Sequence, residues 1–243
     1  MKKFAAYLLS VAVVFVCLCF VGCGEKKYTD GQGIVYTLSD NKYTVTSVTN
    51  RDVTNIEIPD AIDGKPVVAI APAAFSECEK LKTVIFADCI EEIGDRAFDY
   101  CGDLGNFTLP ANLKILGANA FNGCRSITEV TVPNGVTELK EGTFGSCESL
   151  AKVDLSDALV AIEESAFWNC TSLESITLPQ SVKTLGDSAF YFCEALAEVK
   201  LSANLTSIGA DAFRNCTSLL RIAAESEISA YFGLPSSVTE IKA

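Results

Sequence analysis

The sequence predicts an α/β-type repeat solenoid, with a parallel β-sheet on one face and short helical turns on the other. The first observation behind this prediction is a 23-residue period, in which phenylalanine recurs at Phe75, Phe98, Phe121, Phe144, Phe167, Phe190 and Phe213. Cysteine follows each of these phenylalanines by three residues, and leucine or isoleucine follows by six. Internal repetition at a fixed period is the sequence signature of stacked repeats.

Two hydrophobic periodicities inside each unit assign its elements. Phenylalanine and cysteine at i and i+3 place two apolar groups on one side of a helical turn. Later in the unit, Ile176 and Leu178 alternate with polar residues, as in a short strand, and Pro179 ends that strand. Because one unit cannot bury its own apolar face, the units must stack and their strands must form a parallel sheet.

The unit reads V-x-x-I-x-x-x-A-F-x-x-C-x-x-L-x-x-I-x-L-P. Over about residues 34–243 this pattern resembles the BspA-like leucine-rich repeats of bacterial surface proteins. The resemblance implies an N-terminal capping hairpin region at 34–66, with Asp40 and Asn41 as turn candidates, and seven repeats at 67–224. The period fails after Ile222, and residues 225–243 are interpreted as a partial repeat that forms the C-terminal cap.

The N-terminus predicts export. Two lysines precede a long uncharged apolar run that ends at Gly22, directly before Cys23. This resembles a bacterial lipobox, which implies a signal peptide at 1–22, lipidation of the Cys23 thiol and a tether at 23–33. An uncleaved transmembrane anchor is the alternative, since the run is about 20 residues long. Either interpretation places the rest of the chain outside the cytoplasm, held at its N-terminus on a membrane.

Charge and composition exclude several classes of function. The formal net charge is −12, and it becomes −14 once Lys2 and Lys3 leave with the signal peptide. Such a surface repels phosphates, so nucleic acid is not an expected partner. The chain has no histidine, no glycine-rich phosphate loop and no C-x-x-C pair. We therefore expect no catalytic residue, no metal site and no cofactor.

The seven-cysteine column allows more than one interpretation. Buried small hydrophobic residues are favoured, because the position three after phenylalanine faces inward and cysteine is among the most frequently buried residues. Disulfides between neighbouring coils are also open, since stacked coils bring Cα atoms within disulfide range. Cys89 lies off the period, and its status is left open.

Two exposed surfaces are candidate binding sites for a protein or a glycan. One is the outward side of the sheet, and its charged candidates are Glu129, Lys152, Asp154, Glu198, Lys200 and Arg221. Adjacent pairs such as Glu129–Lys152 and Glu198–Arg221 would largely neutralise each other, so this surface also fits a merely solubilised face.

The second candidate surface lies where the helical turns are expected. The positions directly after phenylalanine should face away from the core, and they carry Trp168, Tyr191, Phe192 and Arg214. Aromatic residues and arginine are enriched at interaction hot spots. The alternative is that these side chains only pack over neighbouring turns.

These observations predict a non-enzymatic, lipid-anchored surface protein whose repeat scaffold binds a protein or glycan outside the cell. Adhesion to host or neighbouring-cell components is what the family resemblance implies. The alternative function is a structural one, in which the solenoid docks to other envelope proteins of the same cell.

Overall fold

The computed structural model describes residues 26–223 and 240–242. The predicted signal peptide, Cys23 and most of the residues assigned to the C-terminal cap lie outside these ranges. The described chain is a β-solenoid with 23-residue coils, in which parallel strands pair from coil to coil. No helix in residues 26–223 or 240–242 is long and apolar enough to cross a bilayer.

Three antiparallel strands begin the fold: β1 (Lys26–Thr29), β2 (Ile34–Ser39) and β3 (Lys42–Val48). Asp40 and Asn41 connect β2 to β3, and both have positive φ, as a two-residue type I′ turn requires. The predicted capping region at 34–66 is nevertheless not a separate hairpin. Strand β3 pairs in parallel with a strand of the solenoid, so the first strands continue its sheet.

Short strands form the first face of the solenoid. This strand face consists of β4 (Asn55–Glu57), β7 (Thr83–Ile85), β10 (Glu129–Thr131), β12 (Lys152–Asp154), β14 (Ser175–Thr177), β16 (Glu198–Lys200), β18 (Arg221–Ala223) and β19 (Glu240–Lys242). Their register follows the repeat, since Ile176 lies opposite Val199, and Val199 lies opposite Ile222. In the last pairing Ile241 lies opposite Ile222, which extends the strand face by one coil.

A second parallel ladder, which the sequence pattern did not reveal, forms the lateral face. It consists of β6 (Lys65–Ile70), β8 (Glu92–Ile93), β9 (Ile115–Leu116), β11 (Glu138–Leu139), β13 (Ala161–Ile162), β15 (Thr184–Leu185) and β17 (Ser207–Ile208). A short strand, β5 (Ala61–Ile62), pairs antiparallel with β6. The solenoid therefore has two sheet-bearing faces, where one was predicted.

The predicted helical turns are wrong, because stacked β-turns occupy that side of every coil. In all seven units the residues two before and two after the phenylalanine have positive φ, as Ser165 (φ 55°) and Asn169 (φ 59°) do around Phe167. A right-handed helical turn requires consecutive residues at negative φ, so this alternation prevents it. We call this surface the turn face.

Hydrogen bonds between coils replace those that a helix would have made. The N–H of Phe167 donates to the carbonyl of Ala189 in the next coil at 2.8 Å. The N–H groups of Ser165 and Asn169 donate likewise to Asp187 and Tyr191 at 2.9 and 2.7 Å. These bonds satisfy the buried backbone groups, which would otherwise cost about 1–3 kcal/mol each.

The core is a set of columns that run the length of the solenoid. The seven repeat phenylalanines are buried and stack face to face, and ring centroids in neighbouring coils such as Phe167 and Phe190 lie 5.2 Å apart. The seven repeat cysteines and the leucine or isoleucine six residues after each phenylalanine are also buried. Full burial of each such side chain contributes about 1.5–3 kcal/mol to folding.

The strand face is interrupted at residues 106–108, which form no strand. Here the side-chain oxygen of Asn106 accepts from the N–H groups of Thr128 and Glu129, at 2.8 and 3.3 Å. Phe107 occupies the inward position that Val130 holds one coil later, and its ring stacks on Phe121 with centroids 4.6 Å apart.

Candidate ligand-binding surfaces

The repeat cysteines are buried, hydrogen-bonded and unreactive. Each thiol from Cys101 to Cys216 donates to the carbonyl oxygen of the phenylalanine in the preceding coil, as Cys170 does to Phe144 at 3.2 Å. Burial raises the pKa of the Cys147 thiol to about 12, and it raises that of Cys170 well above its usual range. The thiols therefore stay protonated, which leaves them poor nucleophiles and poor metal ligands.

Cysteine pairing does not occur in this structure, where the seven repeat cysteines and Cys89 are free. The column does more than fill space, since its thiols link successive coils by hydrogen bonds. Cys89 is half-buried, and its Sγ lies 3.1 Å from the carbonyl oxygens of both Asp60 and Val67. Across residues 26–223 and 240–242, no group of three His, Cys, Asp or Glu residues is arranged to hold a metal ion.

The strand face presents the predicted charged residues in one exposed surface. Glu129 lies opposite Lys152, and Glu198 lies opposite Arg221, as expected from the repeat. The ion pairs differ in part from the prediction. Lys152 bonds within its own strand to Asp154 at 2.8 Å, and these contacts raise the pKa of Lys152.

Arg221 does pair with Glu198, across a longer distance of 3.9 Å. Lys200 lies opposite Ala223 and next to Thr177 in the register. The six predicted strand-face residues contain three carboxylates and three cations, so their charges balance.

The turn face brings the predicted aromatic residues together only in part. The rings of Tyr191 and Phe192 meet edge to face, with centroids 4.5 Å apart. The guanidinium of Arg214 lies over the Tyr191 ring at 5.9 Å, and its Nη1 is 3.2 Å from the Asp211 carboxylate. Among the described residues Trp168 makes no ring contact, although it belongs to the adjacent coil and is 38% exposed. We call Trp168, Tyr191, Phe192 and Arg214 the aromatic strip.

Phe192 has a backbone conformation that a bulky residue rarely adopts, with φ at 61°. The corresponding residues of the two neighbouring coils are Asn169 and Asn215, which tolerate this region far better. The left-handed conformation costs a phenylalanine about 1–2 kcal/mol. Its ring is only half-buried, so packing in the core does not account for its presence.

Tyr100 is a turn-face aromatic residue that the sequence reasoning missed. It stands four coils before Phe192 at the same position of the repeat, with φ at 58°, and its side chain is 51% exposed. A Cβ added to Gly123 in the next coil would lie 2.9 Å from its ring, so the tyrosine covers that glycine. Alignment of all seven units at this position would have identified it.

The lateral face carries a shallow depression of about 400 Å³ near Ile162, Gly186 and Ile208. Its carboxylates belong to Glu163, Glu164 and Asp187. Asp187 already accepts from the N–H of Ala210 at 2.7 Å. The depression is open to solvent.

One solved structure in particular agrees with this architecture. A leucine-rich repeat protein from Eubacterium ventriosum is 23% identical over 79% of this chain and 50% of that one, with a TM-score of 0.67. This chain therefore spans half the length of that protein. One from Bacteroides ovatus is 25% identical over 92% and 76%, with a TM-score of 0.45. The pneumococcal vaccine antigen PcpA is 18% identical over 89% and 87%, with a TM-score of 0.47.

No curated protein matches the chain at a significant level. A family model does match, in two overlapping stretches at residues 47–156 and 114–233, and its description is the BspA type leucine rich repeat region. Together the two stretches contain all seven phenylalanine and cysteine positions. The match covers well over half of the sequence, and the chain belongs to the BspA-type leucine-rich repeat family.

Proposed function

We propose that the protein is a non-enzymatic binding scaffold that acts outside the cytoplasm and contacts a protein partner through its aromatic strip. The observation that carries this proposal is the cluster of Tyr191, Phe192 and Arg214 on the turn face, in which two rings and a guanidinium meet at the surface. Aromatic residues and arginine are enriched among the residues that dominate binding energy in protein interfaces.

A scaffold function also agrees with the repeat family to which the chain belongs. Proteins of this family are repeat scaffolds suited to protein binding, and the repeat thiols of this chain are buried and take part in the core. The position outside the cytoplasm rests on the N-terminal sequence, in which the apolar run ends directly before Cys23. In this proposal the lipid on Cys23 holds the solenoid close to the membrane.

The strand face is the competing surface, and its balanced charges favour a solubilised face over a binding one. The partner can belong to the host or to the same cell. A partner from the same envelope would give the protein the structural docking function that the sequence left as the alternative, and the same surface would serve either purpose.

Capture experiments on two matched variants test the proposal. The immobilised protein is exposed separately to host matrix proteins, to mucin and to envelope fractions of its own cell. We expect Trp168→Ala with Tyr191→Ala to lose capture, while Lys152→Ala with Lys200→Ala on the strand face retains it. Both variants change exposed side chains, so circular dichroism should show the same fold. Capture that survives the turn-face variant and fails in the strand-face variant would overturn the proposal.

A further inference from the structure

We infer that the aromatic strip takes a partner segment that carries exposed arginine or lysine side chains. This inference rests on the proposed function and names the chemistry of its partner. It follows from three features of the turn face: the charge around the rings, the way in which the strip holds its own arginine, and the conformation of Phe192.

The charge around the strip is strongly negative. Its three turns, residues 163–172, 186–195 and 209–218, contain five carboxylates and one cation, Arg214. Glu164, Asp187 and Glu194 are exposed, and in the described part of the chain neither Glu164 nor Glu194 forms an ion pair. Three of the five carboxylates, Glu163, Glu164 and Asp187, lie where the strip borders the lateral-face depression. The six strand-face candidates, by comparison, have balanced charges. A positively charged segment is the partner that complements the negative charge around the strip.

Arg214 indicates how such a segment would be held. Its guanidinium lies 5.9 Å from the centre of the Tyr191 ring, while its Nη1 contacts the Asp211 carboxylate at 3.2 Å. A ring face and a carboxylate thus share one cation within this chain. Cation–π contacts are attractive by about 0.5–1 kcal/mol at exposed sites, and by more when the partner excludes water.

Among the residues that the structure describes, no cation–π contact or ion pair involves Trp168, Glu164 or Glu194. Trp168 offers the ring that attracts cations most strongly, and Glu164 stands three residues before Phe167 in the same turn. Phe192 lies beside Glu194, whose N–H donates to the Phe192 carbonyl at 2.9 Å. Two of the three turns therefore carry an aromatic side chain together with an exposed carboxylate, Trp168 with Glu164 and Phe192 with Glu194. A partner segment with several basic side chains could occupy successive turns.

The conformation of Phe192 supports a role at this surface. Asparagine serves at the same position in both adjacent coils, yet here a phenylalanine is kept at φ 61° with its ring half-buried. Every unit has positive φ at this position, so what distinguishes Phe192 is a bulky ring where the two adjacent coils have the better-tolerated asparagine.

The test uses the full-length protein and its single tryptophan, Trp168, as the reporter. Tryptophan fluorescence is followed while a synthetic peptide that alternates arginine and serine is added. Matched peptides carry glutamine or glutamate in place of arginine, and chitohexaose serves as a neutral glycan. We expect a saturable change with the arginine peptide alone. The affinity should fall as salt rises through the physiological range, where the screening length is about 8 Å.

Two variants that remove the same amount of charge show whether binding depends on this site or only on the net negative charge of the protein. Glu164→Gln with Glu194→Gln should weaken the arginine peptide about fivefold to tenfold, because two carboxylate–cation contacts are lost. Glu92→Gln with Glu138→Gln removes the same charge from the lateral face and should leave the affinity unchanged. Equal weakening by both variants, or equal binding of the glutamine peptide or chitohexaose, would overturn the inference.

The failure of this inference and that of the proposed function are distinguishable. If partner capture depends on Trp168 and Tyr191 while the arginine peptide does not bind, the strip binds a partner of other chemistry, and only the inference falls. If capture does not depend on the strip at all, the proposed function falls first.

Discussion

The Sγ of Cys170 lies 3.2 Å from the carbonyl oxygen of Phe144 in the preceding coil and donates its proton to it. That carbonyl also accepts from the N–H of Cys147, three residues later in its own coil. Every repeat cysteine after Cys78 makes the same inter-coil contact. The cysteine column therefore joins neighbouring coils as well as filling the space beneath the turns.

Alkylation should separate Cys89 from the repeat cysteines. Cys89 is half-buried, whereas the side chain of Cys170 is fully buried, and both thiols have raised pKa values because of burial. We expect iodoacetamide to label Cys89 slowly in the native protein and to label Cys170 only after denaturation. Mass spectrometry of the peptides measures each site separately. Native labelling of Cys170 at the rate of Cys89 would contradict the buried column.

The free energy of unfolding should fall steeply as the pH becomes alkaline. Burial raises the pKa of the Cys147 and Cys216 thiols from 9.0 to about 12, and that of Cys78 to about 11. Between those values the unfolded chain has released its thiol protons while the folded chain retains them. Stability is therefore complete below the unfolded pKa and falls as pH rises, by about 1.4 kcal/mol per pH unit for each thiol.

Denaturant unfolding at several values between about pH 8 and about pH 11 measures this slope. The variant with Cys147→Ala and Cys216→Ala is the control, since it removes two of the responsible groups and should give a visibly shallower slope. A free energy of unfolding that does not change across this range would contradict the protonated, buried thiols.

Adjacent residues should differ sharply in their effect on stability. Phe167 is fully buried between Phe144 and Phe190, with ring centroids 5.8 and 5.2 Å away, while the neighbouring Trp168 is exposed. Phe167→Ala should lower the free energy of unfolding by about 3–5 kcal/mol. Trp168→Ala should lower it by less than about 1 kcal/mol. Chemical denaturation followed by circular dichroism compares the two, and similar losses would contradict the assignment of core and surface.

Phe192→Asn should leave stability nearly unchanged, within about 1 kcal/mol, although it removes an aromatic ring. The loss of packing against Tyr191 is offset because asparagine tolerates the left-handed conformation that Phe192 is forced to adopt. Thermal and denaturant unfolding check this result. A loss of about 3 kcal/mol or more would show that the ring is part of the core and has no special reason to lie at the surface.

The repeat period predicted the columns of the core and the register between coils, because apolar residues recur at a constant spacing and apolar residues are the ones that become buried. Phe167, Cys170 and Ile176 are buried as expected, and Glu129 lies opposite Lys152. Their predicted ion pair was not formed, since Asp154 two residues away in the same strand offers Lys152 a closer carboxylate.

The helical turns were mispredicted because phenylalanine and cysteine at i and i+3 fit a β-turn as well as a helix. The positive φ values that decide between them occur at residues as different as Ala73, Ser165 and Phe192, so residue type gave no signal. The lateral face was missed for another reason. Strands of two residues, such as Ala161–Ile162, are too short to show an alternating pattern.

The affinity of a captured protein partner for two matched variants tests the central claim most directly. Surface plasmon resonance compares Tyr191→Ala with Phe192→Asn on the turn face against Lys152→Ala with Lys200→Ala on the strand face. We predict that the turn-face variant weakens binding by about tenfold or more, as expected for hot-spot residues, while the strand-face variant stays within about twofold of the parent. The opposite order would contradict the assignment of binding to the aromatic strip.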